Sequence, residues 1–186
     1  WVLANACCFI KELHRSGSPG LSVSVNISIL QLLQEDFVDE VMNVLFQLDL
    51  APACLELEIT ESILMESYEI IGKKLRLLQH YGVRIALDDF GKGYSSLHYL
   101  LRLPINTLKV DKSFIDSIIS EEKESTLAGQ IISIGKGMGL CVIAEGVETK
   151  QQMDYLISHG CHKIQGYYFS KPLPERNIRT ILEGEM

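Results

Sequence analysis

The stretch RIALDDFGKGYSSL, residues 84–97, decides the fold that this sequence predicts. It opens with apolar, β-rich residues and closes on two adjacent carboxylates, Asp88 and Asp89, followed by glycine. Charged residues are rarely buried without a partner, so an acidic pair at the end of an apolar run indicates a buried strand that opens into a loop with a chemical task. Other apolar runs of the chain also carry a polar residue near their ends.

These runs alternate with segments of helical period, which is typical of a parallel sheet covered by helices. Gly82, Gly139 and Gly160 follow helical segments, where a left-handed residue can end a helix. The predicted strands are Leu21–Ser28, Leu55–Thr60, Arg84–Phe90, Thr107–Asp111, Cys141–Val147 and Lys163–Phe169. The predicted helices are Trp1–His14, Ser28–Leu48, Tyr68–Tyr81, Ser125–Met138, Lys150–His159 and a short C-terminal helix.

The polar strand ends favour a closed barrel over an open doubly wound sheet, because a barrel gathers side chains from many strand ends at one face. A full barrel needs about eight strands and about 250 residues. We therefore predict one α/β domain over residues 1–186, a TIM-like (β/α) barrel with about six of its eight strands and without those before Trp1. Its strand-end residues are Asn26, Glu58, Asp88, Asp89, Lys109, Asp111, Glu145 and Gln165.

Composition excludes some classes of protein. A net charge of −7 argues against a surface that binds duplex nucleic acid, which requires clustered Lys and Arg. No apolar run approaches the roughly 20 residues that cross a bilayer, so we predict a cytoplasmic segment without membrane contact. The five cysteines lack metal-ligand spacing and are interpreted as buried thiols.

Several acids at one barrel mouth require cations, and Lys109 is the only base at a predicted strand end. Oxygen ligands without Cys or clustered His favour Mg²⁺ or Mn²⁺. Asp88 and Asp89 can both turn toward the mouth of the barrel. In that arrangement they can share one metal ion and hold a second ion about 3.5–4 Å from the first. The alternative is a turn followed by a helix N-cap.

Lys109 stands between apolar neighbours and is predicted to point into the barrel, where it can orient or help deprotonate a water. The alternative is a structural salt bridge to Asp111. Glu58 and Glu145 also interrupt apolar strands, where an acid is costly without a purpose. The remaining acids near strand ends, Glu56, Glu61 and Glu148, are surface charges or supports of the site.

The loop after Asp89 is small and rich in glycine. It can cradle a phosphate or act as a lid, or it can be a tight connection into the next helix. Its candidate residues are Gly91, Gly93, Tyr94, Ser95 and Ser96.

Seven short motifs follow one another along the whole chain. They are VNIS (25–28), EITES (58–62), DDFG (88–91), GYSSL (93–97), LKVD (108–111), AEGVET (144–149) and QGY (165–167). Together they closely resemble the EAL-domain family of cyclic di-GMP phosphodiesterases. The resemblance implies a barrel that hydrolyses cyclic di-GMP to linear pGpG with two Mg²⁺ or Mn²⁺ ions, in bacterial signal transduction.

The resemblance also implies roles for single residues. Asn26, Glu58 and Asp88 would bind one metal, and Asp88 would bridge to a second that Asp89 helps to hold. Glu145 would coordinate metal or act as a base. The other implied roles are Lys109 orienting the attacking water, Gln165 completing the polar floor, Glu61 bracing the loop after Asp89, and Glu148 supporting Glu145.

Two features depart from the family. The Glu-Ala-Leu motif is absent, which we interpret as a start downstream of its strand, and Lys92 stands where the family usually has Thr. The alternative function is therefore a catalytically inactive receptor for cyclic di-GMP, or a dimerisation and regulatory module. The family also implies a homodimer, and sensory or GGDEF domains that can tether a full-length protein to a membrane.

Overall fold

Parallel strands that follow one another in sequence order form the sheet of this protein. The computed structural model of the chain describes residues 1–61, 68–91, 100, 102–119 and 125–182. Within them the sheet has six strands in the order β1 to β6, without a reversal. This is the order of a barrel and not of a doubly wound sheet, so the predicted fold class, a partial (β/α) barrel, is confirmed.

The strands are β1 (Val23–Asn26), β2 (Leu55–Thr60), β3 (Arg84–Phe90), β4 (Thr107–Val110), β5 (Cys141–Ala144) and β6 (Lys163–Ile164). The α-helices are α1 (Val2–Arg15), α2 (Ile29–Leu33), α3 (Phe37–Gln47), α4 (Tyr68–His80), α5 (Lys112–Asp116), α6 (Ser125–Gly137), α7 (Lys150–Ser158) and α8 (Glu175–Leu182). Short 3₁₀ turns lie at Pro52–Cys54 and Ser117–Ile119.

Strand alternation separates the core from the barrel interior. Leu55, Leu57 and Ile59 of β2 are at most 1% exposed and belong to the core cluster that includes helix residues. The residues between them, Glu56 and Glu58, therefore lie on the opposite, interior face. Burying one such aliphatic side chain contributes about 1.5–3 kcal/mol, so the outward face holds the sheet to its helices and leaves the inward face for polar chemistry.

Some predicted elements are shorter than expected. The predicted helix Ser28–Leu48 is two helices, because Gln34 adopts an extended conformation after α2. Ser28 begins α2 with a reciprocal capping box that includes Gln31. The predicted strand Cys141–Val147 ends at Ala144, before Gly146 turns the chain with a φ of +72°. The sixth predicted strand, residues 163–169, is a strand only over Lys163–Ile164.

The cysteines are free thiols. Cys7 and Cys161 are buried, as predicted, and burial raises the pKa of the Cys7 thiol to about 11. Cys54 and Cys141 are only partly buried, and Cys8 is exposed, so the prediction is wrong for Cys8. No helix among the described residues is long and apolar enough to cross a membrane.

Candidate active site

The acidic pair of β3 lies in a bulge. Leu87 pairs with Leu108 and Phe90 with Val110, so Asp88 and Asp89 together stand opposite Lys109. Asp89 has a φ of +55°, a left-handed conformation that Asp tolerates better than most residues. Its backbone N–H donates to Oδ1 of Asp88 at 2.9 Å. The bulge interrupts the alternation that would place two neighbouring carboxylates on opposite faces of a regular strand.

Three carboxylates converge on the ammonium group of Lys109. Its Nζ lies 2.7 Å from Oε2 of Glu58, 2.7 Å from Oε1 of Glu145 and 3.4 Å from Oδ1 of Asp88. The exposed fraction of these side chains is 5% for Lys109, 9% for Glu58, 15% for Asp88 and 18% for Glu145. The cluster joins β2, β3, β4 and the end of β5. Three carboxylates and one ammonium leave two negative charges that the cluster itself does not neutralise.

The surroundings shift the pKa values of Glu145 and Lys109. Burial raises the pKa of Glu145, Lys109 opposes this, and the nearby Asp88 raises it further. Burial alone would lower the pKa of Lys109, but its hydrogen bonds to Glu145 and Glu58 raise that pKa above the ordinary value. Lys109 therefore remains a charged donor at neutral pH, which favours orienting a water over accepting a proton from it. Glu145 is a better proton acceptor than an exposed carboxylate.

Asn26 ends β1 and Gln165 follows β6, the two edge strands of the sheet. Asn26 pairs in register with Glu58 and is exposed. Gln165 is exposed as well, and its backbone continues the ladder by donating to Ala144 and accepting from Val147. Asn26 thus shares a face with Glu58 at the C-terminal end of the strands, and the backbone of Gln165 lies beside the end of β5.

Glu61 and Gly91 connect the end of β2 to the end of β3. Glu61 is only 7% exposed, and its Oε2 accepts the backbone N–H of Gly91 at 3.3 Å. The surface alternative for Glu61 is therefore wrong, since its carboxylate holds the start of the loop after Asp89. Gly91 has a φ of +101°, and a Cβ at this position would lie 2.5 Å from the ring of Phe114. The other candidate loop residues, Lys92, Gly93, Tyr94, Ser95 and Ser96, lie outside the described residues.

Asp111 begins the next helix. Its side chain caps α5 by accepting the Ser113 N–H at 3.0 Å and the Ser113 hydroxyl at 2.6 Å. The ion pairs that the structure gives Lys109 are those to Glu58, Asp88 and Glu145, so the proposed alternative of a structural bridge from Lys109 to Asp111 is not the arrangement found.

Glu148 is exposed and pairs with Lys112 at 3.0 Å. Lys112 also pairs with Asp116 at 2.8 Å. The stem of Lys112 lies against Gly146, where an added Cβ would be 2.5 Å from Cγ of Lys112. Glu148 thus connects the loop that follows Glu145 to α5, by an exposed ion pair of the kind that contributes little stability on its own.

Sequence reasoning underestimated Glu56. It was expected as a surface charge or a support, but it is only 5% exposed. Its carboxylate pairs with Arg84 at 3.3 Å and accepts the Thr107 hydroxyl at 2.5 Å. Its burial could have been predicted from the two-residue spacing between Glu56 and Glu58, which places both side chains on one face of β2.

The donor set suits a hard divalent cation. The described residues contain no group of three His, Cys, Asp or Glu side chains arranged as a ready metal site. In this structure the ammonium group of Lys109 lies between the carboxylates. The convergent donors Glu58, Asp88 and Glu145 are all oxygen ligands, and among the described residues three formal negative charges meet the single positive charge of Lys109. Such a set fits Mg²⁺ or Mn²⁺ better than a softer metal.

Comparison with known proteins identifies the family. The EAL domain family model matches residues 1–172. The cyclic di-GMP phosphodiesterase NbdA of Pseudomonas aeruginosa is 45% identical over 99% of this chain, which covers 24% of that protein. This chain spans about a quarter of the length of NbdA and of other curated relatives that it matches.

Solved structures agree with the sequence match. The phosphodiesterase of Pseudomonas aeruginosa MucR, in complex with cyclic di-GMP, superposes with a TM-score of 0.91 and 37% identity, over 96% of this chain and 72% of that chain. A manganese and cyclic di-GMP complex of Klebsiella pneumoniae BlrP1 superposes with a TM-score of 0.83 and 28% identity, over 92% and 43% of the two chains. With a family match that covers most of its length, the chain belongs to the EAL domain family.

Proposed function

We propose that this protein is a metal-dependent phosphodiesterase that hydrolyses cyclic di-GMP to linear pGpG in bacterial second-messenger signalling. The observation that carries the proposal is the convergence of Glu58, Asp88 and Glu145 on one point inside the barrel, beside the bulge at Asp89. The name of NbdA and the ligand in the MucR structure support cyclic di-GMP as the substrate. Manganese in the BlrP1 complex supports a divalent cation.

Asn26, Glu58, Asp88 and Asp89 would hold Mg²⁺ or Mn²⁺ in a two-metal site, with Glu145 beside it. The bound ions would supply the positive charge that activates water and stabilises the phosphoryl oxygens in an in-line displacement. The protein's part is to hold its carboxylates together against their repulsion, which it does by placing them at the ends of strands that neighbour one another in one rigid sheet.

In the proposed reaction the oxygen of a water forms a bond to one phosphorus of cyclic di-GMP. Lys109 donates a hydrogen bond that orients this water, and Glu145 accepts its proton. The ester bond to one ribose 3′ oxygen breaks, that oxygen takes up a proton, and the ring opens to linear pGpG. Gln165 and the loop that begins at Gly91 contact the substrate, while Glu61, Asp111 and Glu148 keep the surrounding loops in place.

A homodimer and additional signalling domains belong to the same proposal. MucR is named a bifunctional diguanylate cyclase and cyclic di-GMP phosphodiesterase, and this chain covers 26% of it. That relative supports the presence of a GGDEF or sensory domain in the full-length protein.

Chelation of metal tests the proposed activity. We expect the full-length protein with Mg²⁺ to convert cyclic di-GMP to pGpG, measured by product chromatography, and EDTA to stop the conversion because the carboxylates lose the ions that they hold. Excess Mg²⁺ should restore it. Turnover that continues in EDTA would contradict metal dependence. Calorimetric binding of cyclic di-GMP without any turnover in Mg²⁺ or Mn²⁺ would instead favour the receptor function.

A further inference from the structure

A second polar layer crosses the barrel interior beneath the cluster around Lys109. We call Ser24, Glu56, Arg84 and Thr107 the lower polar layer. Glu56 accepts the Thr107 hydroxyl at 2.5 Å on Oε1 and the Ser24 hydroxyl at 3.4 Å on Oε2. Nη2 of Arg84 lies 3.3 Å from Oε1 of Glu56 and donates to Oγ1 of Thr107 at 3.4 Å. One buried carboxylate therefore joins β1, β2, β3 and β4.

Each member of the lower polar layer shares a strand face with a candidate site residue. Ser24 precedes Asn26 by two positions, Glu56 precedes Glu58 by two, and Thr107 precedes Lys109 by two. Arg84 precedes Asp88 by four positions on β3. Even spacing within a strand keeps side chains on one face, and the pairs Ser24 with Glu56 and Glu56 with Arg84 are also register neighbours. The lower polar layer thus lies next to the site, toward the N-terminal ends of the strands that carry Glu58, Asp88 and Lys109.

The lower polar layer adds little stability to the fold, so its role is to hold the strands in place. Glu56 is 5% exposed and Thr107 is fully buried, so the carboxylate loses most of its hydration. The Arg84 side chain is 31% exposed, so its ion pair with Glu56 is only partly buried. Such a pair often stabilises a fold no better than apolar side chains of similar volume. What the layer does impose is a link between strands, because the one carboxylate of Glu56 accepts the Thr107 and Ser24 hydroxyls and also pairs with one nitrogen of Arg84.

We propose that Glu56, held by Thr107 and Arg84, is a positioning residue for hydrolysis, which fixes the spacing of β2, β3 and β4 so that Glu58, Asp88 and Lys109 converge. The inference rests on the proposed phosphodiesterase activity. Glu56 acts through the site residues above it and does not touch substrate. Its loss therefore lowers kcat and weakens metal binding, and leaves KM for cyclic di-GMP nearly unchanged.

Thr107 offers a matched pair of variants. Thr107→Val keeps the side-chain shape and removes the hydroxyl that donates to Glu56, whereas Thr107→Ser keeps the hydroxyl and removes a methyl group. Groups that hydrogen-bond a metal ligand typically contribute about 10–100-fold to activity or metal affinity. Thr107 and Glu56 lie one step further from the proposed ligands, so we expect Thr107→Val to lower kcat and raise the Mn²⁺ concentration at half-maximal activity by about 10-fold, the lower end of that range. Thr107→Ser should retain most of the wild-type value of both. Glu56→Gln, which loses the ion pair with Arg84, should resemble Thr107→Val.

The assay compares these variants with the wild type in the full-length protein, with circular dichroism and thermal unfolding measured for each. Glu175→Gln, which removes an exposed ion pair to Arg179, is the control and should match the wild type. Wild-type kcat and Mn²⁺ requirement in Glu56→Gln and Thr107→Val would overturn the inference. Unfolding of Glu56→Gln, Thr107→Val and Thr107→Ser alike would also overturn it, because it indicates a purely structural role. Equal losses of kcat in Thr107→Val and Thr107→Ser would overturn it for the same reason. A wild type that forms no pGpG would instead overturn the proposed function.

Discussion

Replacing Asp88 by Ala should abolish hydrolysis of cyclic di-GMP, with kcat at least about 100-fold lower, since partners one step removed from metal ligands already cost about 10–100-fold. Asp88 lies in the bulge opposite Lys109, and its Oδ1 faces both Nζ of Lys109 and the backbone of Asp89. Its removal takes away the proposed bridge between two metals and loosens the conformation of its neighbour. The measurement is pGpG formation at saturating Mg²⁺, by chromatography.

Asp154→Ala is the matched control, because Asp154 is an exposed carboxylate on α7. It should keep wild-type activity. Thermal unfolding must show that Asp88→Ala is folded. A folded Asp88→Ala protein with more than a tenth of wild-type kcat would contradict the assignment of Asp88 as a bridging ligand.

Replacing Lys109 by Met should lower the free energy of unfolding in the absence of metal by about 3–5 kcal/mol, the usual cost of removing one partner of a buried ion pair. The variant keeps most of the side-chain volume but leaves Glu58, Asp88 and Glu145 without their shared ammonium. Mg²⁺ should restore more stability to this variant than to the wild type, because a cation then replaces the lost charge. Urea unfolding with and without Mg²⁺ measures both effects.

Lys112→Ala is the control for this prediction. Lys112 is 44% exposed and also contacts two carboxylates, so its removal should change the free energy of unfolding by no more than about 1 kcal/mol. A Lys109→Met protein as stable as the wild type without metal, or one that does not respond to Mg²⁺, would contradict the view that the cluster is short of positive charge.

The fold was predictable because its signals are local. Alternating apolar runs and helical periods defined β2 and β3 to the residue, and Gly82, Gly139 and Gly160 have the positive φ values expected where helices end. The errors arose where tertiary structure overrides pattern. The predicted strand ran on to Val147, yet the turn at Gly146 ends β5 at Ala144. The helical period continues through Gln34, where the backbone is extended.

The site was predictable in part for the same reason. Lys109 and Glu58 each interrupt an apolar strand, so alternation alone places them inside the barrel. The role of Glu56 was missed because its partners, Arg84 and Thr107, come from strands whose register is set by the whole sheet. The local sequence likewise shows that Glu58, Asp88 and Glu145 can offer oxygen ligands to a metal. It does not show how far their oxygens lie from Nζ of Lys109.

Carboxylates from separate strands are expected to form one divalent-cation site in this protein. Anomalous diffraction from crystals of the full-length protein grown with Mn²⁺ tests it most directly. We expect anomalous density bordered by Glu58 and Asp88, and no such density in crystals of Asp88→Ala. Crystals in which Mn²⁺ binds only elsewhere, with Lys109 still bridging Glu58 and Glu145, would contradict it.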